Sequence, residues 1–209
     1  MAKRNTKEII LFESLKLFAD KGYDGVTVRD IAAEVGIKQS SLYKHFSSKQ
    51  EIFDTLVSAI QLRFRYASTS FKLPNGELQE MAKKYATGGN EVLKKISSEI
   101  FHFYLKDPYA SQFRKMLSIE KYKNKEIDRI YREVYIDIAI SYQATLFDEM
   151  IKQGYMRQAN PEVMALQFFA PIFLLLNKYD GIAEKEEEAI KMLGLHIEQF
   201  DMIYRKEAF

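Results

Sequence analysis

Between residues 38 and 45 the chain places Lys38, Gln39, Ser40, Ser41, Tyr43, Lys44 and His45 around one apolar residue, Leu42. Ammonium, amide, hydroxyl and phenol groups are the donors and acceptors that grip phosphates and read base edges, and no carboxylate stands among them to repel a polyanion. On spacing alone the same run is equally a surface turn of a helical bundle. Other chemistry finds little support. The absence of cysteine excludes a disulfide framework, a thiolate nucleophile and a Cys-ligated metal. The three histidines are His45, His102 and His196. Glu99 and His102 stand three apart on one helix, but no third ligand clusters with them and no metal is assigned. No nucleophile–base pair or glycine-rich phosphate loop is present, so neither a catalytic residue nor a cofactor is expected.

These residues need elements to position them, and the periodicity is helical almost throughout. Leu11, Leu15 and Phe18 recur at helical spacing over residues 7–21. Gly22 follows as a left-handed cap. Thr27 caps a second helix whose inward face is Val28, Ile31, Ala32 and Val35, with Asp30 in the capping-box position. The turn Glu34-Val35-Gly36-Ile37 leads to a short third helix over residues 38–45, anchored by Leu42 and Phe46. Three helices so joined form a helix-turn-helix pattern, and a short protruding helix of this kind fits the major groove. Ser48 and Glu51 form a capping box that opens a fourth helix over residues 49–72.

Breaks are expected at Leu73-Pro74-Asn75-Gly76 and at Thr87-Gly88-Gly89-Asn90, followed by a helix over residues 91–106. A short helix starts at Pro108, and Lys121-Tyr122-Lys123-Asn124 is a polar joint. The longest helix then spans residues 125–153, another spans 162–179 behind Asn160-Pro161, and the last spans 184–206. Its acidic start, residues 184–188, suits a helix N-terminus. The fold class is therefore all-α, with about nine helices.

Composition agrees. The 209 residues are 47% apolar and 29% charged, with a net charge of +2. Residues 1–50 hold nine Lys/Arg against six Asp/Glu, a local +3, which leaves −1 for the remainder. A basic end on a near-neutral body suits an anionic partner. The most apolar run, residues 163–176, is shorter than the ~20 residues that span a bilayer. It reads as a buried helix, and the N-terminus lacks a secretory pattern. The protein is expected to be cytoplasmic, with no membrane partner.

The stretch Leu17-Phe18-Ala19-Asp20-Lys21-Gly22-Tyr23, then Thr27-Val28-Arg29-Asp30-Ile31-Ala32, Val35-Gly36, and Leu42-Tyr43-Lys44-His45-Phe46 with Ser48-Lys49 resembles the DNA-binding domain of TetR-type transcriptional regulators. The resemblance covers about residues 9–57. It implies a helix-turn-helix domain over residues 1–50, linked through the helix at 49–72 to an effector-binding and dimerisation domain over 51–209. It also implies that Thr27 and Lys49 meet phosphates, that Tyr43 and His45 touch the DNA backbone, and that Lys38, Gln39, Ser40 and Ser41 read bases beside Lys44. Lys3 and Arg4 would trail along neighbouring phosphates. Lys38 departs from the family pattern, since Ser or Thr often caps the recognition helix there.

The implied function is that of a homodimeric regulator, a repressor by family habit, released from a palindromic operator in double-stranded DNA by a small-molecule effector. The last two helices would form the dimer, with Phe168, Phe173, Leu176, Leu193, Ile197 and Phe200 at the interface, although the same residues also read as an intramolecular core. The effector is unknown and, from the lining, apolar or aromatic. Phe101, Tyr104, Phe113, Met116, Tyr135, Tyr142 and Phe169 are the candidate pocket, and this set also reads as packed core. The alternative is an all-α small-molecule carrier, which leaves the first fifty residues unexplained.

Overall fold

In the computed structural model, residues 5–70 and 78–206 are described. In chain order the helices are α1 (Thr6–Lys21), α2 (Val28–Val35), α3 (Gln39–Leu42), α4 (Lys49–Ser70), α5 (Leu78–Lys106), α6 (Pro108–Glu120), α7 (Lys125–Arg132), α8 (Ile138–Lys152), α9 (Pro161–Lys178) and α10 (Glu186–Tyr204). Among the described residues no strand forms, and one antiparallel bridge joins Met156 to Arg205. The all-α class expected from the periodicity is what the chain adopts. No helix among the described residues is long and apolar enough to cross a membrane.

The helices gather into two compact units, neither of them one stretch of chain. The first comprises Met1–Ser70 with Pro108–Arg132, and the second Phe71–Asp107 with Glu133–Phe209. Helices that follow residue 50 thus enter both units. In the first, α1 buries Ile10, Leu15 and Phe18 completely, and α6 packs on α1 with Phe113, Met116 and Leu117 equally buried. Each such side chain contributes roughly 1.5–3 kcal/mol by leaving water, which holds α6 to α1 across about ninety residues of sequence.

The second unit is a layer of α5, α8, α9 and α10 around an aromatic centre. Phe147, Phe168 and Phe200 meet with ring centroids 4.9–5.6 Å apart. Asn160 caps α9, its carbonyl accepting from the N–H groups of Glu162 (2.9 Å) and Val163 (3.1 Å). The helix runs on through Pro171 to Lys178. Three glutamates, 186, 187 and 188, fill the first turn of α10, as its dipole favours.

Several boundaries differ from the sequence reading for local reasons. Gly22 ends α1 at φ 71°, ψ 166°, a positive φ with extended ψ, where a left-handed cap was expected. The extended exit carries the chain straight to Tyr23, whose N–H donates to Glu120 of α6. The break at residues 87–90 is present, but it consists of Gly89 alone (φ 65°, ψ −167°), and helix resumes at once within α5. The long helix expected at 125–153 is helical from Lys125 to Lys152, yet its α pattern is interrupted by a π-helical turn, Glu133–Asp137, between α7 and α8. The break at residues 73–76 lies outside the described residues.

Candidate nucleic-acid interface

Three local devices aim the short helix α3. Thr27 and Asp30 cap α2 reciprocally: the Asp30 N–H donates to Thr27 Oγ1 at 3.2 Å, and the Thr27 N–H donates to Asp30 Oδ2 at 2.8 Å. The Thr27 hydroxyl also donates to Asp30 Oδ2, at 2.6 Å. That hydroxyl and the backbone N–H hold the Asp30 carboxyl below the usual carboxylate range. Gly36 then closes α2 in the left-handed conformation (φ 75°, ψ 32°), and the Ile37 N–H returns to the Ala32 carbonyl at 2.9 Å. Finally, Leu42 and Phe46 are fully buried and tie α3 to the unit's core.

Helix α3 is shorter than expected. Only Gln39–Leu42 is α-helical, and the chain continues to Phe46 in turns, with the Lys44 N–H donating to Ser41 O and the His45 N–H to Leu42 O. Lys38 occupies the N-cap with extended backbone and makes no side-chain cap hydrogen bond. Lys38, Gln39, Ser40, Tyr43, Lys44 and His45 are exposed and Ser41 half-buried. None of the seven is buried, and His45 is among the exposed ones. Lys3 and Arg4 lie outside the described residues.

Lys49 is placed differently from a free cation. Its ammonium donates to the carbonyls of Tyr23 (2.8 Å) and Val26 (2.9 Å) and lies 4.0 Å from the centre of the Tyr23 ring. It thereby clips the α1–α2 corner to the start of α4. The Tyr23 ring packs on Phe18 and Phe53, and its hydroxyl donates to Gln50 at 2.8 Å. At the same start, Ser48 caps α4 by accepting from the Glu51 N–H, whereas the Glu51 carboxylate reaches back to Ser47 instead of Ser48.

Two residues that hold the corner escaped the sequence reading. Glu120, at the end of α6 and 5% exposed, accepts the Tyr23 N–H at 2.8 Å. Lys123 bridges to Asp24 at 3.3 Å. Contacts between residues almost a hundred apart leave no periodic signal in either segment. Charge also separates with the units. The first contains 18 Lys/Arg and 11 Asp/Glu, a net +7, and the second 13 and 18, a net −5. The basic contribution of α6 and α7 thus joins the helix-turn-helix, a larger field than the +3 of the first fifty residues alone.

The candidate pocket residues fall into both units. Phe113 and Met116 lie in the first, fully buried, and Phe101, Tyr104, Tyr135, Tyr142 and Phe169 lie in the second. There the Tyr104 and Tyr135 rings are 5.8 Å apart, and burial pushes the Tyr104 phenol up to about 12. His102 is engaged by Glu186 at 2.9 Å. Of the candidate dimer residues, Phe168, Leu176, Leu193, Ile197 and Phe200 are buried in the second unit's own core. Phe173 is half-buried and stacks on Phe169. The faces of α9 and α10 that remain exposed carry Val163, Leu166, Leu174, Met192, Leu195 and Met202.

An exposed, carboxylate-free reading helix on a capped scaffold, carried by the basic unit of an all-α chain, defines a helix-turn-helix DNA-binding regulator. Residues 10–56 match the family model described as bacterial regulatory proteins, tetR family. The biofilm operon icaADBC negative transcriptional regulator IcaR of Staphylococcus epidermidis is 31% identical over 147 residues, covering 70% of this chain and 68% of that protein. The chain belongs to the TetR family of transcriptional regulators. IcaR of Staphylococcus aureus (strain Newman) is 49% identical over 51 residues, but that match spans only 24% of this chain and 27% of the relative. In fold, the chain is similar to SmeT, the repressor of a Stenotrophomonas maltophilia multidrug efflux pump, solved as a triclosan complex: TM-score 0.63, 20% identity, 98% of this chain and 93% of that one.

Proposed function

We propose that this regulator is a homodimeric repressor that leaves a palindromic operator when a small-molecule effector binds. The observation that carries the reading is the exposed set of residues 38–45, free of carboxylates, on the unit with net charge +7. A single four-residue helix touches only a few base edges, so a second copy is needed to reach a selective site. The surface suited to that copy is the exposed apolar face of α9 and α10, with Leu166, Leu174, Leu195 and Met202, which a monomer leaves in water. Lys38, Gln39, Ser40 and Ser41 read bases, and Tyr43, Lys44 and His45 meet the backbone. Phosphate at the start of α2 meets the N-terminal N–H groups of that helix, since the Thr27 hydroxyl is given to Asp30. Lys49 contributes mainly by holding the corner.

The second unit supplies the effector site. An effector with unequal affinity for two arrangements of the dimer shifts the population away from the one that fits the operator. The test is a titration with duplexes from the DNA flanking the gene, with scrambled DNA as competitor. Tight binding to one palindromic segment, falling steeply as salt rises, is the expected result. Equal competition by scrambled DNA, persisting after unfolding and refolding to strip bound ligand, would refute the reading for those sites.

A further inference from the structure

We infer that the loop between α6 and α7, residues 121–125, is a second contact to the DNA backbone, beside the reading head. This goes beyond the reading helix and rests only on the chain binding duplex DNA. Lys121-Tyr122-Lys123-Asn124-Lys125 holds three lysines in five positions and no carboxylate, the same chemistry as residues 38–45. The loop is an ordered turn. The N–H groups of Lys123 and Asn124 both donate to the Glu120 carbonyl at 3.0 Å, and the Asn124 side chain caps α7 by accepting from the N–H groups of Glu126 and Ile127. Within it Tyr122 is 85% exposed. Core packing gains little from an aromatic ring so placed, whereas a phenol among ammonium groups suits phosphate oxygens.

The fold ties this loop to the reading head. Glu120, immediately before it, accepts the Tyr23 N–H at 2.8 Å, and Lys123 meets Asp24 at 3.3 Å. The approach is close, since a Cβ on Gly22 would stand 3.0 Å from Glu120 Oε1. The same corner is the one that Lys49 clips to the start of α4 through the carbonyls of Tyr23 and Val26. Thr27 and the N-terminal N–H groups of α2 follow Asp24 by three residues, at most about 11 Å of chain. Phosphates recur every ~3.4 Å of axis along a strand, so a backbone held at the start of α2 has its next few phosphates within that distance.

The neighbouring carboxylates leave the loop's field positive. Asp24 is met by Lys123, Glu126 by Arg129 at 2.6 Å and Asp128 by Arg132, while Glu120 is engaged at the corner. Lys121 lies over the rings of Tyr122 (4.9 Å) and Tyr131 (4.0 Å), which hold its ammonium without a countercharge. Residues 108–132 carry seven Lys/Arg against three Asp/Glu, a net +4, more than half of the unit's +7. Positive charge in a row beside the helix-turn-helix matches the repeating phosphates and adds affinity without reading bases.

The test titrates the full chain with a long scrambled duplex at a series of salt concentrations, so it needs no operator. Lys121→Gln combined with Lys125→Gln removes two charges from the loop. Lys152→Gln combined with Lys191→Gln removes two exposed charges from the second unit and serves as control. The loop variant is expected to bind at least about tenfold more weakly at low salt, with the slope of log K against log salt shallower by about 2, because each phosphate contact contributes close to 1. The control keeps the parent's slope. Lys121→Arg combined with Lys125→Arg keeps it too, whatever the change in packing on Tyr131 does to the melting temperature. Tyr122→Ala is expected to weaken binding several-fold at an unchanged slope. A loop variant with the parent's slope, a control that lowers the slope equally, or Tyr122→Ala with the parent's affinity would each overturn the inference, as would a parent that binds no duplex. Failure to prefer any palindromic segment would refute the operator reading alone.

Discussion

At the scale of single residues, the reading head depends on groups whose partners the structure identifies. Thr27→Ala removes the hydroxyl that caps α2, and N-cap losses of this kind cost about 1 kcal/mol. A lower melting temperature together with weaker operator binding is expected, and a thermal melt beside a DNA titration checks both. Lys49→Met keeps the length of the side chain but abandons the carbonyls of Tyr23 and Val26. If the clip acts, as proposed, by shaping the corner, its loss should weaken all duplexes alike and lower stability as well. A variant that melts like the parent but binds DNA more weakly would instead favour the phosphate contact expected of Lys49. His196 makes a pH prediction. Burial lowers its pKa, outweighing the hydrogen bond between Nε2 and the Phe168 carbonyl at 2.8 Å. The folded state thus favours neutral imidazole, while the unfolded chain protonates near the ordinary value of about 6.5. Its stabilising contribution is present above that value and is lost as pH falls through it towards the folded-state pKa. Melting temperature measured from pH 7.5 to 5 should fall less steeply in His196→Gln than in the parent.

At the scale of elements, short helices are held by their ends. Helix α2 has eight residues and α3 four, lengths at which an isolated helix has no stability of its own. Their geometry comes from the Thr27–Asp30 box, the left-handed Gly36 and the buried anchors Leu42 and Phe46. Gly36→Ala meets no steric neighbour but must adopt φ 75°, so a loss of about 1 kcal/mol is expected from backbone strain alone. A urea titration reads it, and an unchanged midpoint would show that the turn can relax. Much of this was legible in the sequence because it is local: Thr27 with Asp30, Gly36, Asn160-Pro161 and the acidic start of α10 are each cap chemistry within a few residues. The π-helical turn at Glu133–Asp137 and the shortness of α3 were not legible, since both replace one helical hydrogen-bond pattern by another without changing which residues are apolar.

At the scale of the whole molecule, the charge and the apolar surface of the two units point to different partners. The basic unit carries the helix-turn-helix, and α9 and α10 of the acidic unit leave an apolar row exposed, the surface proposed for a second copy. Leu174→Glu combined with Leu195→Glu alters two exposed side chains and no core contact. The expected product is a folded monomer with native helix content and much weaker operator binding. Sedimentation and circular dichroism check it, and an intact dimer would move the interface elsewhere. The sequence by itself determined the class of fold, the helix-turn-helix and its family, because capping, periodicity and the polar run at residues 38–45 are written within some fifty consecutive positions. Only the tertiary structure decided that α6 and α7 join the first unit, that Glu120 holds the Tyr23 corner, and which apolar residues of α9 and α10 face inward. An apolar stripe says that a face must be covered but not by what, and contacts between segments a hundred residues apart arise only when the chain packs.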